Sequence, residues 1–151
     1  MDRPVIAPRI VRAADAAPHP LHGEGTLFRL IYPATVGSRQ LFVGLAVVPP
    51  GQAPHVFHRH GVEIVGNTRL EYAPDFEEFY FLVEGRGLMQ WKDADGSIAE
   101  VEVAAGDAVF MPPGCAEHRI FNSGSATLRV LYGGTPPARV SRISPSTGEG
   151  N

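Results

Sequence analysis

The sequence predicts an all-β sandwich or barrel made as one domain. Three observations carry that expectation. Short apolar or alternating runs recur along the chain, among them TLFRLIY, QLFVGLAVV, EFYFLVEG, SIAEVEV and TLRVLY. They are rich in β-branched and aromatic residues and are punctuated by 14 Pro and 17 Gly. No segment of convincing length repeats its apolar residues at helical spacing, and no internal repeat is found. At 151 residues the chain can bury one sizeable core but not two.

Residues 1–25, rich in Ala, Pro and His, read as an N-terminal arm. Residues 26–134 read as the barrel, and residues 135–151 as a loose tail whose end lacks core-forming residues. TLFRLIY (26–32) and QLFVGLAVV (40–48) are the first barrel strands. The second is apolar on both faces, with Leu41, Val43, Leu45 and Val47 on one and Phe42, Ala46 and Val48 on the other. Such a strand must be covered twice. Pro49-Pro50-Gly51 ends it, and PHVFHRH begins the next strand. Residues 61–77 are a long connection in which Val62, Ile64, Val65, Leu70 and Tyr72 suit an extra hairpin turning at Gly66-Asn67. Its two ends must lie near His60 and Glu78, and a loop this long suits a lid as well as a cover for the barrel exterior. EFYFLVEG and RGLMQWK follow, joined by a tight turn at 85–87. Asp93-Ala94-Asp95-Gly96 signals a hairpin, and SIAEVEV (97–103) alternates as a half-exposed strand should. DAVFMP, HRIFN and TLRVLY complete the barrel.

Composition excludes several classes. A net charge of −3 and a pI of about 6.0 give no electrostatic case for nucleic acid or anionic membranes as partners. Cys115 is the one cysteine, so no intrachain disulfide framework exists. No apolar run reaches transmembrane length, and MDRPVIAPRIVRAAD lacks a continuous apolar signal core. The expectation is a soluble, cytoplasmic protein.

Three imidazoles and one carboxylate stand out. Side chains alternate faces along a strand, so His58 and His60 would point the same way, roughly 6–7 Å apart along the backbone. Glu78 opens EFYFLVEG, and His118 follows the turn PPGCAE. Three nitrogens and an oxygen suit Fe, Mn, Co, Ni, Cu or Zn, and disfavour Ca²⁺ or Mg²⁺. Tyr80 shares strand parity with Glu78. Its phenol would face the interior, either as a proton or hydrogen-bond donor to substrate or as core with a satisfied hydroxyl.

The arrangement of these residues resembles the cupin family. Gly51, His58, His60, Glu78 and Gly85 fill the places of its first motif. Gly106, Pro112, Gly114, His118 and Asn122 fill those of the second. The resemblance covers roughly residues 40 to 132. One extra residue precedes His58 and another precedes His118. The larger departure is the interval 61–77, where the family usually has three or four residues. That interval brings Glu63, Glu71 and Glu77 into contention as the carboxylate ligand, but only Glu78 keeps the six-residue spacing to Gly85. The resemblance implies a cupin-type double-stranded β-helix, or jelly-roll barrel. It also implies a homodimer, here using the outward residues Phe79, Phe81 and Val83 and the arm around residues 4–11.

The expected metal ligands are therefore His58, His60, Glu78 and His118, with Glu78 and Tyr80 as candidate catalytic residues. The expected cofactor is one divalent transition-metal ion, iron first, with Mn, Ni, Co, Cu or Zn as alternatives. Four protein ligands leave two octahedral positions for a small-molecule substrate, water or oxygen. The first functional expectation is an iron-dependent dioxygenase acting on a small organic molecule, in a pocket lined by Tyr80, Leu82, Met89 and Trp91. The alternatives are a non-redox isomerase, cyclase or lyase, and a small-ligand-binding protein without turnover.

Overall fold

The computed structural model describes residues 6–20 and 25–144. Residues 4 and 5 of the expected interface arm, His22, and the tail beyond 144 lie outside the described residues. Among the described residues, twelve strands run in the order β1 (Pro18–Pro20), β2 (Thr26–Ile31), β3 (Phe42–Val48), β4 (Val62–Val65), β5 (Thr68–Glu71), β6 (Glu77–Glu84), β7 (Arg86–Lys92), β8 (Ile98–Ala104), β9 (Ala108–Met111), β10 (His118–Phe121), β11 (Leu128–Thr135) and β12 (Arg139–Arg142). Helix among them is limited to a 3-10 turn at Ala13–Asp15 and one turn, α1, at Pro33–Val36.

The strands form a six-stranded sheet, β1-β2-β3-β11-β6-β9, and two three-stranded sheets, β10-β7-β8 and β12-β5-β4. The core lies between the first two. Ala46, Val48, Tyr80, Leu82, Met111, Leu128 and Val130 come from the larger sheet, and Met89 and Ile120 from the smaller. This is the jelly-roll arrangement expected from many short strands with both faces of β3 occupied. Strand β6 shows the alternation most clearly: Glu78, Tyr80 and Leu82 are buried, while Phe79, Phe81 and Val83 are exposed.

Gly85 marks the corner between the two sheets. Its φ of 90° favours glycine, and a Cβ there would lie 2.8 Å from the carbonyl oxygen of Thr127. The expected tight turn at 85–87 is therefore not a hairpin. Strand β6 pairs with β11 and β9, whereas β7 pairs with β8 and β10. Met89 still shares a face with Trp91, because these two sit opposite Ile120 and His118.

Two further expectations are corrected. PHVFHRH is not a strand; its one ladder contact is the bridge between His58 and His118, closed by backbone bonds of 3.2 and 2.9 Å. Pro49, Pro50 and Pro54 lack the N–H groups a continuous ladder needs. The tail is not wholly loose: Arg139–Arg142 pairs antiparallel with β5. Without it β5 would present an unpaired edge. The insertion folds as expected, into the hairpin β4–β5.

Candidate metal centre

Four residues distant in sequence meet at one end of the barrel. His58 and His60 come from the proline-rich loop after β3, Glu78 from the start of β6, and His118 from the start of β10. One donor atom from each lies within 4.8 Å of every other, a group that could hold a metal ion. Glu63 and Glu71 do not belong to it. Glu71 instead faces Arg139 and Arg69, at 3.5 and 3.7 Å.

Hydrogen bonds orient the rings. His118 Nδ1 lies 2.8 Å from the carbonyl oxygen of Ala116, and His58 Nδ1 lies 3.0 Å from that of Val56. A carbonyl oxygen only accepts, so each Nδ1 carries the proton and each Nε2 keeps a free lone pair. For His118, which is fully buried, that Nε2 has no partner at all. Leaving such an atom unsatisfied costs about 1–3 kcal/mol. A cation at the focus of the four residues would remove that cost, so the donor set fits a metal. His60 Nε2 and Glu78 Oε2 are 2.6 Å apart.

The charge states suit ligation. Burial, reinforced by His55, pushes His58 down to about 4, and burial also lowers His118. Both rings are therefore neutral at pH 7, as ligands must be. Burial alone would raise the Glu78 carboxyl; the bond to His60 and the surrounding imidazoles outweigh it and hold the pKa below its ordinary value. Tyr80 is buried in the core, where burial and its hydrogen bond to Glu78 raise its pKa well above the usual.

A cavity of about 310 Å³ opens onto His60. Its walls are Gly61, Tyr72, Pro74 and Phe76 from the insertion, facing Met111, Pro112 and Cys115. The lining expected from the sequence is corrected here. Tyr80, Leu82 and Met89 belong to the closed core, and Trp91 is not among the residues that line the cavity. Phe76 escaped sequence reasoning. It lies 4.8 Å from His60 and 4.6 Å from Tyr72, ring centre to ring centre, and stacks on Phe42 at 6.1 Å. Met111 sits directly opposite Glu78 in the β6–β9 pair, a signal visible only once the register is known.

Comparisons with known proteins bear on this site. A family model described as "Cupin domain" matches residues 69–133. Polyketide synthase CurC of Streptomyces cyaneus is 31% identical over 131 residues, which cover 87% of this chain and 71% of that protein. A Thermotoga maritima protein described as a predicted oxalate decarboxylase superposes with a TM-score of 0.60 at 20% identity, over 84% of this chain and 98% of its own. Bacillus subtilis oxalate decarboxylase, studied for its Mn(II) centres, gives 0.62 at 18% identity over 87% of this chain and 31% of its own. At those identities the two structures report the fold alone. Among the described residues, no helix is long and apolar enough to cross a membrane.

Proposed function

The chain belongs to the cupin family, and on that premise we propose that it is a metal-dependent enzyme acting on a small, oxygen-bearing organic molecule. The observation that carries the reading is the unpaired, fully buried Nε2 of His118 at the focus of four donor atoms, beside a cavity. His58, His60, Glu78 and His118 would hold the ion. When bound, it supplies Lewis acidity and, if it is iron, electron exchange with O₂.

The remaining roles belong to the chain itself. The carbonyls of Val56 and Ala116 hold two imidazoles in the ligating tautomer. Tyr80, closed into the core, sits beside the Glu78 carboxylate rather than in the cavity lining. Tyr72, Phe76, Met111 and Pro112 give an apolar wall that excludes water and suits the flat face of a ring or conjugated dicarbonyl.

Iron-dependent dioxygenation is the first reading of the reaction. Non-redox cyclisation, isomerisation or lysis is the second, and similarity to a polyketide synthase favours it, since polyketides carry alternating carbonyl oxygens prone to such chemistry. The discriminating experiment is metal analysis of protein purified without oxygen, followed by oxygen uptake with a panel of polyoxygenated aromatics and diketones. Uptake coupled to substrate loss supports the first reading; product without uptake supports the second. Tight binding with no turnover of any panel member would overturn both in favour of a binding protein.

We also infer that the chain acts as a homodimer. Phe79, Phe81, Val83 and Phe110 form an exposed apolar face across β6 and β9, and Ile6 and Ile10 stand exposed on the arm. A second copy of this surface is the partner that would cover it.

A further inference from the structure

Strand β4 is inverted. Its apolar side chains Val62 and Ile64 are 53% and 56% exposed, while Glu63 between them is half-buried. A half-exposed strand ordinarily does the reverse. The register shows where the acid points. Tyr72 N donates to the carbonyl oxygen of Gly61 at 2.9 Å, and Glu63 sits opposite Leu70. Gly61 and Tyr72 both line the cavity. Glu63, two residues beyond Gly61, follows it on the same face. Its charge acts on Tyr72, and it lies within the fields of His60 and Glu78.

The surroundings offer little positive charge to a ligand. The cavity lining contains neither Lys nor Arg. Arg29, the cation that acts on Tyr72, is exposed on β2 with its guanidinium over the Tyr32 ring. A small dianion entering here comes within the fields of both Glu63 and Glu78, with only the ion itself to offset them.

We propose that Glu63 is a specificity-determining residue that makes this pocket take neutral ligands with oxygen donors and turn away small dianions such as oxalate. The inference rests on the metal-centre reading above. It also accounts for the inverted strand: a half-buried acid between exposed apolar neighbours is costly in a hairpin unless its charge is used.

The test is calorimetric titration of the manganese-loaded protein at pH 8 with oxalate and with oxamide, the neutral diamide of the same acid. Replacing Glu63 by Gln removes one negative charge near the ligand. Oxalate affinity should rise about tenfold, as expected for like charges within roughly 10 Å in a partly screened site, and Glu63→Lys should raise it further. Oxamide affinity should stay within about threefold, and Val62→Gln on the outer face should leave both ligands unchanged. Oxalate affinity unmoved by Glu63→Gln, with manganese retained, overturns the inference alone. Loss of manganese from Glu63→Gln also overturns it, by making Glu63 a ligand. A wild-type protein that holds no manganese overturns the metal-centre reading and the inference with it.

Discussion

Asn122 allows a prediction whose size can be worked from its contacts. The residue is fully buried at the end of β10. Its Nδ2 donates to the carbonyl oxygens of Val48 at 2.8 Å and Ala126 at 2.9 Å, and its Oδ1 accepts from Gly124 N at 3.0 Å. Its backbone meets Gly51 and Gln52, in the loop that leads to His58. Replacement by Ala strands two carbonyls and one N–H away from water. At about 1 kcal/mol or more for each, with a further cost for the void, the loss should be about 3–5 kcal/mol. In a domain of this length that is a fall of roughly 10 °C or more in Tm. Asn122→Asp should do at least as much harm at neutral pH, because it sets a carboxylate against the two carbonyls. Urea titration of the metal-free variants, compared at equal slope, gives the number. A loss below about 1 kcal/mol for Ala, or a harmless Asp, would refute the reasoning that this side chain locks the corner of the barrel beneath the site.

Glu78→Gln keeps the side-chain volume and removes the buried charge; metal affinity measured by chelator competition should fall about 100-fold or more, since losing one partner of a buried charged group costs about 3–5 kcal/mol. The metal-free protein should lose stability as pH falls from 6.5 towards about 4, because unfolded His58 takes up a proton at the higher value and folded His58 only at the lower. His118 contributes in the same direction. A flat urea midpoint across that interval would contradict the buried, neutral imidazoles. Sedimentation at tens of micromolar should show a dimer that Phe79→Glu with Phe110→Glu dissociates; a wild-type monomer at that concentration counts against the interface.

How much of this could be read from the sequence depended on how far apart the causes lie. The parity of Glu78, Tyr80 and Leu82 against Phe79, Phe81 and Val83 follows from strand geometry within eight residues, and the structure has it. The hairpin in the insertion followed from apolar runs flanking Gly66-Asn67, the local chemistry of a turn. The loop carrying His58 and His60 has the alternation of a strand, but Pro49, Pro50 and Pro54 deny it a continuous ladder. The cavity could not be read at all. Its walls come from residues 72–76 and 111–115, which meet only through the pairing of β6 with β9. The pairing of Arg139–Arg142 with β5 was hidden for the same reason: an open edge in one segment is closed by another, far along the chain. The partial burial of Glu63 between exposed Val62 and Ile64 runs against the hydrophobic pattern by which a strand's inner face is read from sequence.

The most direct test of the central claim is elemental analysis of the wild-type protein beside a variant with both His58→Ala and His60→Ala, each loaded with Fe, Mn, Ni, Co, Cu or Zn and then dialysed. The account predicts one transition-metal ion per wild-type chain and none in the variant, with unchanged far-UV circular dichroism. Full occupancy in the variant, or a wild-type chain that retains none of these metals, would contradict it.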